Sequence, residues 1–112
     1  MLKWPAPIFI ATMAVDMRRG HDGLAAMARE YMGREVIDGA LFVFFNRRID
    51  RLKALWWDRT GYCLLYKRLE RGTFRVPRPL HVGDTSVRID AAELDLILEG
   101  VRPVSKKRRC RT

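Results

Sequence analysis

His21-Asp22 is the first pair in this 112-residue chain whose side chains could do chemistry. An adjacent histidine and aspartate can ligate a divalent metal ion, but a metal site needs further ligands of the same kind. The only other histidine, His81, lies in a loop bounded by prolines. Asp22 stands where a helix is predicted to begin, so we expect its carboxylate to cap that helix instead. The pair therefore predicts no metal site.

Asp16, Asp50 and Asp58 are a second source of chemistry, because three carboxylates can hold the two metal ions of a nuclease. Each aspartate lies beside a predicted turn and near an arginine, which suits turn capping or a local ion pair equally well. A metal-dependent nuclease is therefore a remote alternative. No glycine-rich phosphate loop, Ser-His-Asp set or activated cysteine can be assembled. The sequence predicts no catalytic residue and no cofactor.

Basic and aromatic residues give the stronger signal. Residues 40–78 contain ten lysines and arginines and three acidic residues, a charge of +7 in a chain of net charge +9. Positive charge interleaved with aromatic rings can hold a phosphate backbone and stack on bases. The residues predicted to contact nucleic acid are Arg18, Arg19, Arg47, Arg48, Arg51, Lys53, Arg59, Lys67, Arg68 and Arg71. The candidates for base stacking are Trp57, Tyr62 and Tyr66.

The same residues also have purely structural interpretations. Arginines and lysines can form only a solvated sheet face, or protect a strand edge from aggregation. Large aromatic side chains in strands pack more often than they bind ligands. Trp56 and Trp57 alternate in a strand pattern and must point to opposite faces. We expect Trp56 to pack in the core with Leu52 and Ala54.

Hydrophobic patterning predicts an α+β fold. Residues 22–32 have the apolar spacing of a helix that ends at Gly33, and a capping box at residues 90–93 opens a second helix that ends at Gly100. Short regularly spaced turns predict antiparallel hairpins between the strands. The predicted strands are residues 8–12, 40–45, 51–57, 62–68 and 73–76, and residues 87–89 are a candidate for one more short strand. We expect an antiparallel β-meander of four to five strands with two helices packed on one face.

Composition predicts one globular domain over residues 1–101 and a basic disordered tail over residues 102–112. The tail has six positive residues and no acidic one, so it has too much charge and too few apolar groups to pack. The two cysteines, Cys63 and Cys110, form no metal-binding motif and suit a reducing cytoplasm. No apolar run reaches the roughly 20 residues that a membrane span needs.

A set of short motifs covers about residues 8–100. They are IAT (10–12), VDMRRG (15–20), HDGL (21–24), GALFVF (39–44), NRR (46–48), DRLK (50–53), WD (57–58), TG (60–61), YKRLE (66–70) and PRP (77–79), with Gly72 and Phe74. In this order the chain resembles the TnpB-type accessory proteins encoded beside the transposase in insertion sequences of family sixty-six. These proteins are unrelated to the RNA-guided nucleases of the same name. The chain departs from the family at Met13-Ala14, where Gly-Pro is more usual, and at Ile49, which replaces a polar or basic residue.

The resemblance implies a mobile-element protein that helps transposition while a separate transposase performs strand transfer. We therefore expect a non-catalytic accessory protein that binds DNA, largely without sequence preference, through its basic aromatic-rich sheet. The alternative is a protein-interaction module that docks on the transposase or on a co-encoded accessory subunit. Either protein is expected in the cytoplasm and away from the membrane.

Overall fold

A five-stranded sheet is the centre of the computed structural model, which describes residues 3–101. The predicted tail lies outside these residues, so its disorder remains a prediction. The elements are β1 (Ile8–Ala11), α1 (His21–Met32), a 3-10 turn (Val36–Asp38), β2 (Leu41–Phe45), β3 (Arg51–Asp58), β4 (Gly61–Arg68), β5 (Ser86–Ile89) and α2 (Ala91–Glu99). Neither helix is long and apolar enough to cross a membrane, among the residues that the structure describes.

The strands lie in the order β4-β3-β2-β1-β5. β2, β3 and β4 form the predicted antiparallel meander, and β5 is antiparallel to β1. β1 and β2 are parallel and are connected through α1. The sheet is thus mixed but mostly antiparallel, which confirms the predicted α+β class.

The two helices pack on opposite faces of the sheet, so the expectation that both would pack on one face is wrong. Leu24 and Ala28 of α1 pack with Phe42 and Phe44, which share one face of β2. α2 packs on the other face, where its buried residues are Leu94 and Ile97 and its sheet partners are Ile10, Leu41, Val43 and Leu52. The physical reason is visible in β2, whose five residues are all buried. A strand that is apolar on both faces needs cover on both.

Residues 73–76 do not form the predicted strand beside β4. Only Thr73 pairs, through an isolated bridge to Val101. The chain instead turns back across the end of the sheet where β4 finishes, because Phe74 is buried against Phe45 and its N–H donates to the Ile49 carbonyl in the β2–β3 turn at 2.8 Å. Burial of this one aromatic ring takes the segment away from β4, whose outer side remains an edge of the sheet.

The helix ends follow local sequence signals, with one correction. Gly33 ends α1 at a φ of 69°, and Asp90 and Glu93 form the predicted capping box of α2. Asp22 does not cap α1, because the helix begins at His21 and its N-cap is Gly20. Asp22 lies in the first turn, where a carboxylate still interacts favourably with the helix dipole.

Candidate nucleic-acid interface

Two basic loops meet at one end of the sheet. The loop at residues 12–20 connects β1 to α1, and the turn at residues 46–50 connects β2 to β3. The Val15 N–H donates to the Phe45 carbonyl at 2.9 Å, which fixes the first loop beside the second. Between them lies an open depression of about 540 Å³, lined mainly by Val15, Asp16, Met17, Arg18, Asn46, Arg47, Arg48, Arg51 and Tyr66. We call this feature the basic depression.

Asn46 shapes the turn that presents Arg47 and Arg48 to solvent. Its side-chain oxygen accepts from the backbone N–H groups of Asp50 and Arg51 at 3.1 and 3.0 Å, and its amide nitrogen donates to the Asp50 carboxylate at 2.6 Å. Asparagine favours such turns because its short side chain reaches its own following backbone. Asn46 was not among the predicted site residues, although an asparagine between a strand and two arginines was the available signal.

Lys53 holds the other loop in place. It is 7% exposed, and its Nζ donates to the carbonyls of Met17 and Arg19, both at 2.7 Å. Its Nζ also lies 4.7 Å from the centre of the Tyr66 ring, within the range of a cation–π interaction. A buried ammonium group is stable only when such partners replace water. Lys53 is therefore placed as a support beneath Arg18 and Arg19 and not as a surface cation.

Arg18 has an acidic partner within its own loop. Its guanidinium binds both carboxylate oxygens of Asp16, at distances of 2.7 to 3.2 Å, and its backbone N–H donates to the same carboxylate. These hydrogen bonds from Arg18 lower the pKa of Asp16 to about 2. Asp16 is therefore ionised throughout the physiological range and offsets part of the charge of Arg18, whose side chain is 92% exposed.

Tyr66 is the predicted stacking residue that the structure leaves most accessible. It is 48% exposed at the wall of the basic depression, and Arg51 Nη1 lies 3.4 Å from its hydroxyl. Trp57 and Tyr62 lie farther along β3 and β4, where they pack edge-to-face against each other with ring centres 5.1 Å apart. Both are partly buried against the core beneath α1. Trp56 packs on the opposite face with Leu52 and Ala54, as predicted.

The remaining predicted cations lie in four different surroundings. Arg68 is opposite Arg51 in the β3–β4 register and contacts Glu70 at 3.3 Å, so it extends the basic depression along β4. Lys67 points to the α2 face and donates to the Leu98 carbonyl at 2.6 Å. Arg71 lies beside Lys67 in a separate depression. Arg59 is at the far hairpin, and Arg19 is exposed beside Gly23.

The acidic residues considered for metal chemistry are not brought together. Asp16 pairs with Arg18, and Asp50 pairs with Asn46. Asp50 immediately precedes β3 and Asp58 ends it, so these two carboxylates lie at opposite ends of an eight-residue strand. Within residues 3–101, no three His, Cys, Asp or Glu side chains form a group that could hold a metal ion. The geometry of this end of the sheet instead offers guanidinium groups, which suit phosphate oxygens.

Comparison with known proteins places these features in a family. The chain is 35% identical over 102 residues to the uncharacterized protein y4jC of Sinorhizobium fredii, which covers 91% of this chain and 85% of that protein. It is 38% identical over 94 residues to the uncharacterized protein y4hO of the same organism, covering 84% and 79% respectively. No solved structure matches. Residues 6–108 match the family described as IS66 Orf2-like protein, and the chain therefore belongs to this family of insertion-sequence accessory proteins.

Proposed function

We propose that this accessory protein is non-catalytic and assists transposition by binding duplex DNA through the basic depression. The observation that carries the proposal is the convergence of Arg18, Arg47, Arg48 and Arg51 on one open surface. Arg68 continues the same surface along β4. Five guanidinium groups on one side of the molecule suit the repeated negative charge of a phosphate backbone better than they suit a small substrate.

The binding is proposed to have little sequence preference. Arg47 and Arg48 project from a turn, and Arg18 projects from a loop that its own aspartate holds. Sequence readout usually needs a helix or a two-stranded ribbon placed in the major groove, with several side chains reaching base edges. The first turn of α1 borders the site but offers only His21 and Asp22 as polar side chains. Contacts to phosphates therefore account for most of the expected affinity.

A salt titration tests the proposal. If the five arginines each neutralise one phosphate, the logarithm of the binding constant falls with the logarithm of salt at a slope of about −4.5. Affinity for a random duplex then drops roughly 500-fold between 50 and 200 mM salt. Replacing Arg47 and Arg48 by Ala removes two contacts, which reduces the slope to about −2.7 and the drop to roughly 40-fold. Fluorescence anisotropy with duplexes of unrelated sequence measures both quantities.

The matched control removes the same charge elsewhere. Arg29 lies in the last turn of α1 and Arg88 lies on β5, and both are exposed. The double variant R29A/R88A should keep the wild-type slope. The proposal fails if wild type does not bind at 50 mM salt and micromolar concentration. It also fails if both double variants reduce the salt slope and the DNA affinity equally. The net charge of the chain, and not the basic depression, would then account for binding.

Leu80 and Val82 favour a second candidate function, docking on the transposase or a co-encoded subunit. Both side chains are almost fully exposed, at 86% and 108%, in the loop before β5. Neighbouring exposed apolar groups in one loop are a feature of protein contact sites. Under this alternative, L80S/V82S abolishes co-purification with the transposase but leaves the salt slope of DNA binding unchanged. R47A/R48A has the reverse effect.

A further inference from the structure

The outer edge of β4 carries a row of backbone groups that face away from the sheet. Leu69 N–H donates to the Asp50 carbonyl at 2.8 Å, and β3 and β4 are paired in register from Asp58 and Gly61 onwards. Because backbone groups alternate between the two sides of a strand, the odd-numbered residues of β4 bond to β3. The N–H and C=O groups of Tyr62, Leu64, Tyr66 and Arg68 therefore point outwards. Such an edge is a template for another strand.

The central part of β4 lacks the features that usually protect a sheet edge. β4 is eight residues long, and its central stretch YCLLY contains no charge, proline or glycine. The opposite edge of the same sheet provides the contrast, because β5 has only four residues and carries Arg88 in its centre. Short strands and charged side chains are the common means of blocking edge-to-edge pairing. One edge of this sheet is thus blocked and the other is left available.

Apolar side chains border this edge on both faces of the sheet. Tyr62 and Leu64 pack partly against the core under α1, and Leu65 packs partly against the core under α2. All three keep intermediate exposure, so each core continues to the edge of the molecule without being closed there. A paired strand would bury these groups together with the backbone groups between them.

We propose that the protein forms a two-fold dimer in which β4 pairs antiparallel with β4 of a second copy. Facing residues must lie on the same side of the sheet, which allows Leu64 to face Leu64 of the second copy. Tyr62 then faces Tyr66, a favourable aromatic pair, and the cationic residues Lys67 and Arg68 face Gly61 and Thr60. No like charges oppose each other in this register. The strand is therefore complementary to itself, which argues for a second copy over an unrelated partner.

The dimer would place both basic depressions on one side of a continuous ten-stranded sheet. A two-fold axis normal to the sheet keeps the α1 faces together, and the two Tyr66 residues are then offset by roughly 14 Å along the strands. The basic loops lie farther out, at opposite ends of the pair. A duplex that spans both depressions is held twice, which raises the apparent affinity. This consequence rests on the proposed function, whereas the dimer itself does not.

Sedimentation of the full chain without DNA tests the dimer, in reducing buffer at 300 mM salt and 5 to 200 µM protein. We expect twice the mass of one chain. Leu64→Pro removes an outward N–H without touching the β3–β4 ladder, and it should raise the dimer dissociation constant roughly 30-fold, as expected for two lost backbone hydrogen bonds. Arg88→Pro removes an outward N–H from the other edge, and this control should remain dimeric.

Amide hydrogen exchange on the wild-type protein gives a second measurement that does not depend on a variant. The dimer protects the N–H groups of Leu64 and Tyr66, which face solvent in a monomer. A monomeric wild type at 200 µM overturns the inference. So does a dimer in which these amides exchange rapidly, or one that a folded Leu64→Pro variant retains. DNA binding by a monomer would leave the proposed function standing while removing the dimer, so the two ideas fail separately.

Discussion

Replacing Lys53 by Met should destabilise the protein through two lost hydrogen bonds. Methionine has a similar length and fits the apolar part of the site, but it cannot donate to the carbonyls of Met17 and Arg19. Hydrogen bonds to a charged group contribute about 1.5 to 3 kcal/mol each. Part of this is offset because the variant no longer has to desolvate an ammonium group. We expect the free energy of unfolding to fall by about 2 to 3 kcal/mol.

Lys67→Met is the matched control for this experiment. It removes the same charge from the neighbouring strand, but Lys67 makes a single hydrogen bond, to Leu98, on the face away from the basic depression. Chemical denaturation should show a loss of about 1 kcal/mol for this variant. DNA affinity should fall further in Lys53→Met than in Lys67→Met, because only Lys53 positions the loop that carries Arg18 and Arg19.

The thermal midpoint gives a direct comparison of the two variants. A change of 1 kcal/mol shifts the midpoint by about 4–8 °C in a domain of 60–100 residues, so Lys53→Met should melt roughly 10–20 °C below wild type. A Lys53→Met protein whose stability equals that of wild type would refute the role of Lys53 as a buried support. A protein with the full loss of stability but unchanged DNA affinity would refute the coupling between the loop and binding.

Three smaller predictions follow from single contacts. Asp16→Asn should raise DNA affinity without changing the salt slope of about −4.5, because Arg18 is already one of the five phosphate contacts and the substitution removes only the carboxylate that opposes it. The pH dependence of binding between pH 5 and 8 should not change, since Asp16 with its pKa of about 2 is already ionised there. Arg59→Gly should not lower the thermal midpoint, because Arg59 has a φ of 50° in the far hairpin, and DNA affinity should stay within about two-fold of wild type if that hairpin makes no contact. Asp90→Ala should cost about 1 kcal/mol in denaturant unfolding, because it removes the cap that accepts from the Glu93 N–H at 2.8 Å.

Local signals in the sequence were sufficient for several elements. The capping box at Asp90 and Glu93 and the end of α1 at Gly33 depend only on neighbouring backbone groups, so they follow from residue types a few positions apart. The packing of Trp56 on the same face as Leu52 and Ala54, where it is partly buried, follows from strand alternation. The excess of basic residues in the middle of the chain also needs no structure, because the net charge of a segment depends only on its residue types.

Other features required the tertiary structure because they depend on which segments meet. Lys53 and Arg51 are two residues apart and lie on the same face of β3, so no local pattern distinguishes them. Lys53 is nevertheless buried, with its ammonium group donating to two backbone carbonyls, whereas Arg51 lines the basic depression. The strand predicted at residues 73–76 failed for a related reason, since the burial of Phe74 against Phe45 outweighs the propensity of four residues to extend the meander.

The order of residues was enough to predict the family, the α+β class and the basic character of the central strands. The structure decided that α1 and α2 cover opposite faces, that the loop carrying Arg18 lies beside the turn carrying Arg47, and that β4 remains an edge. The physical reason is the range of the forces involved. Caps, turns and alternation act between neighbours in the chain, whereas burial of apolar surface joins residues far apart in sequence and so selects which charges share one surface.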